Sequence, residues 1–375
     1  MRAIFLAVYR FAYTNIIRRL IFRSSAQETH QQMLRLLASL DRSPLFNSLL
    51  AAARRLVFPP HECSVGGVRL TNPLILAAGL VKGEGFETEE QAAAAVARGE
   101  NIIPGWRAMP RLVGPVEFGS FTRHPRLGNP GVIVWRDETT HSTQNRIGLR
   151  NPGVKAAAVF LARHRHNLPA CFGINIAVSP GITEPDRQEI EIAESFRAFL
   201  DQNIRPSWFT LNLSCPNTED DPGSRQTEEQ TRRLCRAALD AIGTDNVPLW
   251  VKISPELAPE QYRVLIRVFH ETGVQAVIAT NTLPRPAPND PALTAGVGGG
   301  KLHAAALEAV CILAREKTLN NYAVDIIGCG GILDGCSYRQ FRETGADAAQ
   351  YWSALVYRGP LAAALIESEL QHGNT

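Results

Sequence analysis

Residues 208–220, WFTLNLSCPNTED, join an apolar, aromatic and β-branched run to an abrupt polar cluster. A continuous apolar run bounded by turn formers reads as a strand buried on both faces. Seven similar runs accompany it: LILAAG (74–79), VEFGSFT (116–122), CFGINIAV (171–178), LWVKIS (249–254), AVIATNT (276–282), VDIIGCGG (324–331) and AAQYWSAL (348–355). Helical patterns separate them. Parallel strands covered on both faces produce this alternation, and eight is the number that closes a (β/α)8 barrel. The expected fold class is therefore α/β, a (β/α)8 TIM barrel with a small N-terminal helical domain. A doubly wound open sheet is the alternative, but no run is followed by the G-x-G-x-x-G that would open a helix in a dinucleotide fold.

The chain ahead of the runs has a different character. MRAIFLAVYRFAYTNIIRRLIFR carries Arg2, Arg10, Arg18, Arg19 and Arg23 with no acidic residue before Glu28, and spaces Ile4, Val8, Ala12, Ile16 and Leu20 four apart. This is a basic amphipathic helix, the pattern of a segment lying on an anionic membrane surface. A mitochondrial transit peptide has the same chemistry, and so does a helix packing its apolar face on its own protein. Two further helical patterns follow, around Met33, Leu36, Leu37 and Leu40, and after the Ser43-Pro44 cap. Phe58-Pro59-Pro60 closes the region, giving an expected division into residues 1–60 and 61–375. Val65-Gly66-Gly67-Val68 then reads as a short hairpin.

Composition excludes several classes. Among 375 residues, 45% are hydrophobic and the net charge is +3, too near zero to favour nucleic acid. The seven cysteines form no Cys-x-x-Cys pair and no zinc-finger spacing, so no metal site is expected. No stretch is long and apolar enough for a spanning helix.

Barrel enzymes place their chemistry where strands end, so the polar residues closing each run matter most. They are Lys82, Ser120, Thr122, Asn175, Asn212 with Cys215 and Asn217, Lys252, Thr280-Asn281-Thr282, and Gly330-Gly331. Asparagines suit a planar ligand edged with carbonyl and N–H groups, and lysines suit an anion. Singly, an asparagine after a strand is a turn former and a strand-end lysine reaches solvent. Gly330-Gly331 and Trp352-Ser353 close the last two runs, where barrels commonly bind phosphate through bare backbone N–H groups. Gly-Val-Gly-Gly-Gly-Lys (296–301) is no P-loop, because Ala295 and Leu302 break the pattern. It reads instead as a flexible backbone cradle for the same phosphate. A terminal phosphate site, a lysine on the fifth run and no nicotinamide fingerprint together suggest FMN, with Lys252 stabilising negative charge on the reduced ring.

Seven ordered motifs carry a family resemblance: NPLILAAGLVK (72–82), NRIGL (145–149), NLSCPNT (212–218), VKISPEL (251–257), ATNT (279–282), IIGCGGI (326–332) and QYWSALVYRGP (350–360). The chain resembles the dihydroorotate dehydrogenase family along essentially its whole length. The resemblance implies an FMN-dependent barrel that oxidises dihydroorotate to orotate in pyrimidine biosynthesis. Cys215 would remove the C5 proton. Lys82, Asn145, Asn212, Asn217, Asn281 and Thr282 would hold the substrate. Ala78, Gly79, Ser120, Asn175, Lys252, Thr280, Gly300, Gly330, Gly331, Trp352 and Ser353 would hold FMN. The leader, with Glu28-Thr-His-Gln-Gln-Met-Leu-Arg-Leu-Leu, is similar to the extension of the class 2 enzymes. That implies a respiratory quinone acceptor and peripheral association with the cytoplasmic face of the cell membrane, or with the mitochondrial inner membrane in a eukaryote. Cysteine at position 215, however, is the class 1 base, where class 2 enzymes carry serine.

Other departures are Val81, Leu149-Arg150, Trp352, the acidic Glu219-Asp220-Asp221 and an insertion-like segment at 100–114. They motivate two rival expectations: a flavin oxidoreductase acting on another pyrimidine, and a catalytically altered FMN-binding protein at the membrane. Retention of Lys82, the natural carboxylate partner, argues against the first.

Overall fold

The computed structural model describes residues 2–58, 61–213 and 228–372; Cys215, Asn217 and the Pro59-Pro60 boundary lie outside the described residues. All eight apolar runs are strands, and they close a barrel. A hairpin, β1 (Cys63–Val65) and β2 (Val68–Leu70), precedes the barrel strands β3 (Leu74–Leu76) and β4 (Val116–Phe121). Two excursion strands follow, β5 (Val134–Asp137) and β6 (Ser142–Asn145). The barrel continues with β7 (Phe172–Ala177), β8 (Trp208–Asn212), β9 (Leu249–Ile253) and β10 (Ala276–Ala279). A second excursion, β11 (Leu283–Ala287) and β12 (Asp290–Gly299), leads to β13 (Asp325–Cys329) and β14 (Ala348–Tyr351).

The closed order is β3-β4-β7-β8-β9-β10-β13-β14, with every neighbouring pair parallel. The seam between β14 and β3 sets Ala349 opposite Leu74, Gln350 opposite Ile75 and Tyr351 opposite Leu76. Parallel closure gathers all the C-terminal strand ends on one rim. The opposite end is plugged. Trp208 and Trp250, both fully buried, stack at 4.4 Å, and Trp250 Nε1 donates to the Gly66 carbonyl at 2.9 Å. Gly66 has φ +54°, and a Cβ there would fall 2.3 Å from the Trp250 Nε1, so the hairpin turn needs glycine for both reasons.

The excursion strands form a four-stranded antiparallel sheet, β11-β12-β6-β5, that the sequence patterns did not announce. The expected flexible cradle at 296–301 is instead largely strand: Gly296–Gly299 pair with Asn145–Ser142. Lys301 leaves the region to pair with Asp137 at 2.7 Å, holding that carboxyl down to about 2.

The N-terminal segment forms α1 (Arg2–Ala12), a π-helical turn over Tyr13–Ile17, α2 (Arg18–Ile21), α3 (Ala26–Asp41) and α4 (Pro44–Val57). Ser25 caps α3 through a reciprocal capping box with Glu28, and Ser43-Pro44 starts α4 as the sequence indicates. Of the three readings of the leader, packing of the apolar stripe on the protein itself is not observed. Ile4, Val8, Ile16 and Leu20 all face outward, with Ile4 70% exposed, while Leu6 and Tyr13 face in. Tyr9 and Tyr13 hydroxyls donate to the Arg358 and Val356 carbonyls at 3.2 and 3.0 Å. No helix among the described residues is long and apolar enough to cross a membrane.

The segment 100–114 has a structural purpose. After α5 (Glu89–Ala97), it carries α6 (Ala108–Val113), whose first turn is capped from a distance by Asp41 at the end of α3. The buried Asp41 carboxylate accepts from Gly105 N (2.7 Å), Arg107 N (3.1 Å), Ala108 N (2.8 Å) and Asn101 Nδ2 (2.8 Å). The three backbone donors would otherwise be orphans at the start of α6. Asp41→Ala is expected to lower the unfolding free energy by about 3 kcal/mol, because buried N–H groups lose their acceptor. Urea denaturation measures it, and a loss below about 1 kcal/mol would show that water replaces the carboxylate.

Candidate active site

A cleft of about 1160 Å³, counting its solvent-open mouth, lies at the C-terminal rim of the barrel. Three parts of the chain wall it. The barrel contributes strand ends, the four-stranded sheet contributes Val134, Thr143, Gln144, Asn145, Gly298 and Gly299, and α3 contributes His30.

Most residues expected at the site meet here. Ala78, Gly79, Lys82, Ser120, Asn145, Asn212, Lys252, Thr280, Asn281, Thr282, Gly330, Gly331, Trp352 and Ser353 all line the cleft. Several are bonded to one another. Asn212 Nδ2 donates to Ser120 Oγ at 3.2 Å, Asn281 Nδ2 to Asn212 Oδ1 at 3.5 Å, and Thr282 N to Asn281 Oδ1 at 2.8 Å. Thr143 and Ser353 hydroxyls share a hydrogen bond of 2.7 Å, tying the excursion sheet to the end of β14. Ser120 and Thr280 each follow a cis peptide bond.

Two expected cofactor residues stand elsewhere. Gly300 is outside the lining, in a 3-10 turn against the Thr140 carbonyl, which a Cβ would approach to 2.2 Å. Its neighbours Gly298 and Gly299 take the wall position instead. Asn175 is fully buried behind the wall, with Nδ2 donating to Glu117 Oε1 at 2.7 Å and Oδ1 without a partner among the described residues.

The floor beneath the cleft is a buried polar network. Lys252, 5% exposed, donates to Gln350 Oε1 at 3.1 Å and lies 3.6 Å from Cys329 Sγ. Gln350 Nε2 donates in turn to Glu117 Oε2 at 2.9 Å. Burial pushes the Cys329 thiol up, against the pull of the Lys252 charge, so the thiol is neutral at neutral pH. His30 moves the other way. Burial, helped by the charges of Lys82 and Arg150, brings its imidazole down to about 4.

Glu117, Cys329, Gln350, Thr143 and His30 were not among the residues singled out in the sequence. Glu117 had a signal, an acid near the start of a largely apolar run. Thr143 had none, because its strand was invisible.

The residue set fits a flavin mononucleotide. Gly330 and Gly331 line one end of the cleft with φ +143° and +69°, and without side chains they present bare backbone there. A buried ammonium, that of Lys252, also lines the cleft.

The family model for dihydroorotate dehydrogenase matches residues 61–373. The protein named dihydroorotate dehydrogenase (quinone) from Chloroflexus aurantiacus is 32% identical, the match covering 94% of this chain and 93% of that protein. The protein of the same name from Salinispora arenicola is also 32% identical, over 93% of this chain and 96% of its own. Ligand-free DHODH from Eimeria tenella shares the fold, with a TM-score of 0.68 at 24% identity over 87% of this chain and 92% of that one. With its closed barrel, its convergent strand-end residues and a family match across the barrel, the chain belongs to the dihydroorotate dehydrogenase family, a family of flavoproteins.

Proposed function

We propose that this chain oxidises dihydroorotate to orotate with FMN and passes the electrons to a respiratory quinone. The observation that carries this reading is the shared cleft, in which Lys82 and the Asn145, Asn212 and Asn281 amides meet Lys252, Gly330, Gly331 and Ser353, with His30 of α3 in the same wall. Lys82 supplies the charge for the substrate carboxylate. The amides supply donors and acceptors for a ring edged with carbonyl and N–H groups. Cys215, by resemblance, takes the C5 proton; an unperturbed thiol ionises at about 8.5, far below a serine hydroxyl. FMN, when bound, supplies the acceptor for the hydride leaving C6. Lys252 holds a positive charge at the floor, where low dielectric strengthens its effect on negative charge arising above it.

The quinone half of the proposal draws on the names of the relatives and on the N-terminal helices. Residues 1–60 act as a helical membrane-associating and quinone-access unit on the catalytic barrel of 61–375. Ile4, Val8, Phe11 and Leu20 give an outward apolar face, and Arg10, Arg19 and Arg23 are exposed beside it. Such a face binds an anionic bilayer through buried apolar area and charge together. The reading places the protein peripherally on the cytoplasmic face of the cell membrane, or on the mitochondrial inner membrane of a eukaryote.

Three outcomes test it. Purified holoprotein should be yellow and bleach under dihydroorotate without oxygen, and Lys82→Ala should raise KM for dihydroorotate about 100-fold at unchanged flavin content. Bleaching by dihydrouracil but not dihydroorotate would overturn the substrate. Val8→Glu with Phe11→Glu should abolish flotation with anionic vesicles while flavin bleaching by substrate persists; unchanged flotation would remove the membrane reading.

His30 gives a pH dependence. Its folded pKa lies below the unfolded value of about 6.5, so between these values the unfolded chain binds the extra proton. Stability is therefore whole above pH 6.5 and falls as pH drops toward 4, by roughly 3 kcal/mol. His30→Gln should flatten the fall of Tm over that window, and an unaltered slope would show that His30 titrates normally.

A further inference from the structure

Glu117 is the buried acid of the barrel floor, and nothing in the substrate or cofactor assignments uses it. It sits fully buried near the start of β4. Its two oxygens accept four hydrogen bonds: Asn175 Nδ2 on Oε1 at 2.7 Å, and Trp208 Nε1, Thr210 Oγ1 and Gln350 Nε2 on Oε2 at 3.0, 2.8 and 2.9 Å. All four partners act as donors, which suits a group that only accepts, an ionised carboxylate. A lone buried anion is costly, so such a charge persists where a nearby cation balances it. The balancing group stands one amide away, since Gln350 Oε1 accepts from the Lys252 ammonium at 3.1 Å. The other neighbour of that ammonium, Cys329, is a neutral thiol and supplies no counter-charge.

We infer that Glu117 is a positioning residue that sets the reduction potential of the bound flavin, acting through Gln350 on Lys252. The inference rests on the reading that Lys252 faces the flavin. Gln350 is turned by the two charges: the carboxylate takes its N–H end, so its oxygen is left for the ammonium. The ammonium is thereby fixed at the floor of the cleft. Glu117 also holds part of its field back. Electrons arriving on the flavin bring negative charge to the cleft, favoured by Lys252 and opposed by Glu117. The potential therefore reports their balance.

Glu117→Gln removes the charge and keeps the shape. Trp208 Nε1 can only donate, so the new amide must keep its oxygen on the side where Gln350 also donates, and the Asn175 amide alone has to turn over. The Lys252 contact survives. Thr210→Val does the opposite: it removes one of the bonds that disperse the Glu117 charge and leaves the carboxylate a stronger anion.

The test is the midpoint potential of the bound flavin in the holoprotein, read by anaerobic dye titration of its absorbance. Glu117→Gln is expected to raise the ratio of reduced to oxidised flavin at a fixed potential about tenfold, a shift of about 30 mV upward for a two-electron couple. Thr210→Val is expected to shift it downward, and Glu117→Asp, which keeps the charge, to stay near the parent. An unchanged or lowered potential in Glu117→Gln, or an equal upward shift in Glu117→Asp, overturns the inference. Should Glu117→Gln fail to fold, an unshifted or raised potential in Thr210→Val overturns it alone. Lys252→Met separates the two levels. Its potential should fall, and an unchanged value sinks the placement of Lys252 at the flavin rather than the role of Glu117.

Discussion

Closure of the parallel sheet across the β14–β3 seam is the constraint on which the remaining structure depends. An open sheet of the same strands would leave Gln350 at an edge. Closed, Gln350 lies inside the barrel between Lys252 of β9 and Glu117 of β4, strands that are not neighbours in the sheet. Polar side chains can share this interior only as a fully bonded set, because an unpaired buried donor or acceptor costs about 1–3 kcal/mol. The floor meets that condition nearly throughout. Its one open acceptor among the described residues of the network is Asn175 Oδ1.

The strands were legible because burial on both faces writes a continuous apolar run, and every run became a barrel strand. Strand ends were legible for a related reason: a polar residue after such a run has little to do in a core. The excursion sheet left no comparable trace. Its two local hairpins are joined into one sheet only by β12 and β6, across more than a hundred residues of chain, Asn145 with Gly296 for example, and one face lies over a cleft rather than a core. β11 contains Pro284 and Pro286, which argue against a strand by local rules. They are tolerated because β11 is an edge strand of that sheet. Gly300 was misplaced by the same blindness. A glycine-rich run suggested a loop, whereas pairing with β6 turns Gly298 and Gly299 toward the cleft and carries Gly300 past it.

The N-terminal helices show how one amphipathic pattern can be read backwards. The stripe of Ile4, Val8, Ile16 and Leu20 looked equally suited to a core or to a bilayer. Packing chose other residues. Leu6, Tyr9 and Tyr13 lie on the C-terminal part of the barrel, two of them through hydroxyls that reach backbone carbonyls. Tyrosine serves here because its ring buries area while its hydroxyl satisfies a carbonyl at the contact. Asp41 performs the matching task at the other end of this layer, where it converts the 100–114 segment into a docking helix. Together the two contacts fix α3 over the excursion sheet, and Gln27 there accepts from Ile133 N at 2.8 Å.

That fixation decides the electrostatics of the cleft. With α3 in place His30 forms part of the wall, and its depressed pKa means that it adds no charge at neutral pH. Arg150 is paired with Glu84 at 2.8 Å near the rim. Among the described residues, the cationic side chains lining the cleft are then Lys82 and Lys252, set at different strand ends. Lys252 is tempered from below by Glu117 through one amide. The result is a positive cleft with a graded floor, suited to anions that carry their charge at opposite ends. A carboxylate on a planar substrate and a cofactor whose ring gains negative charge on reduction satisfy that distribution together, and neither alone accounts for both lysines.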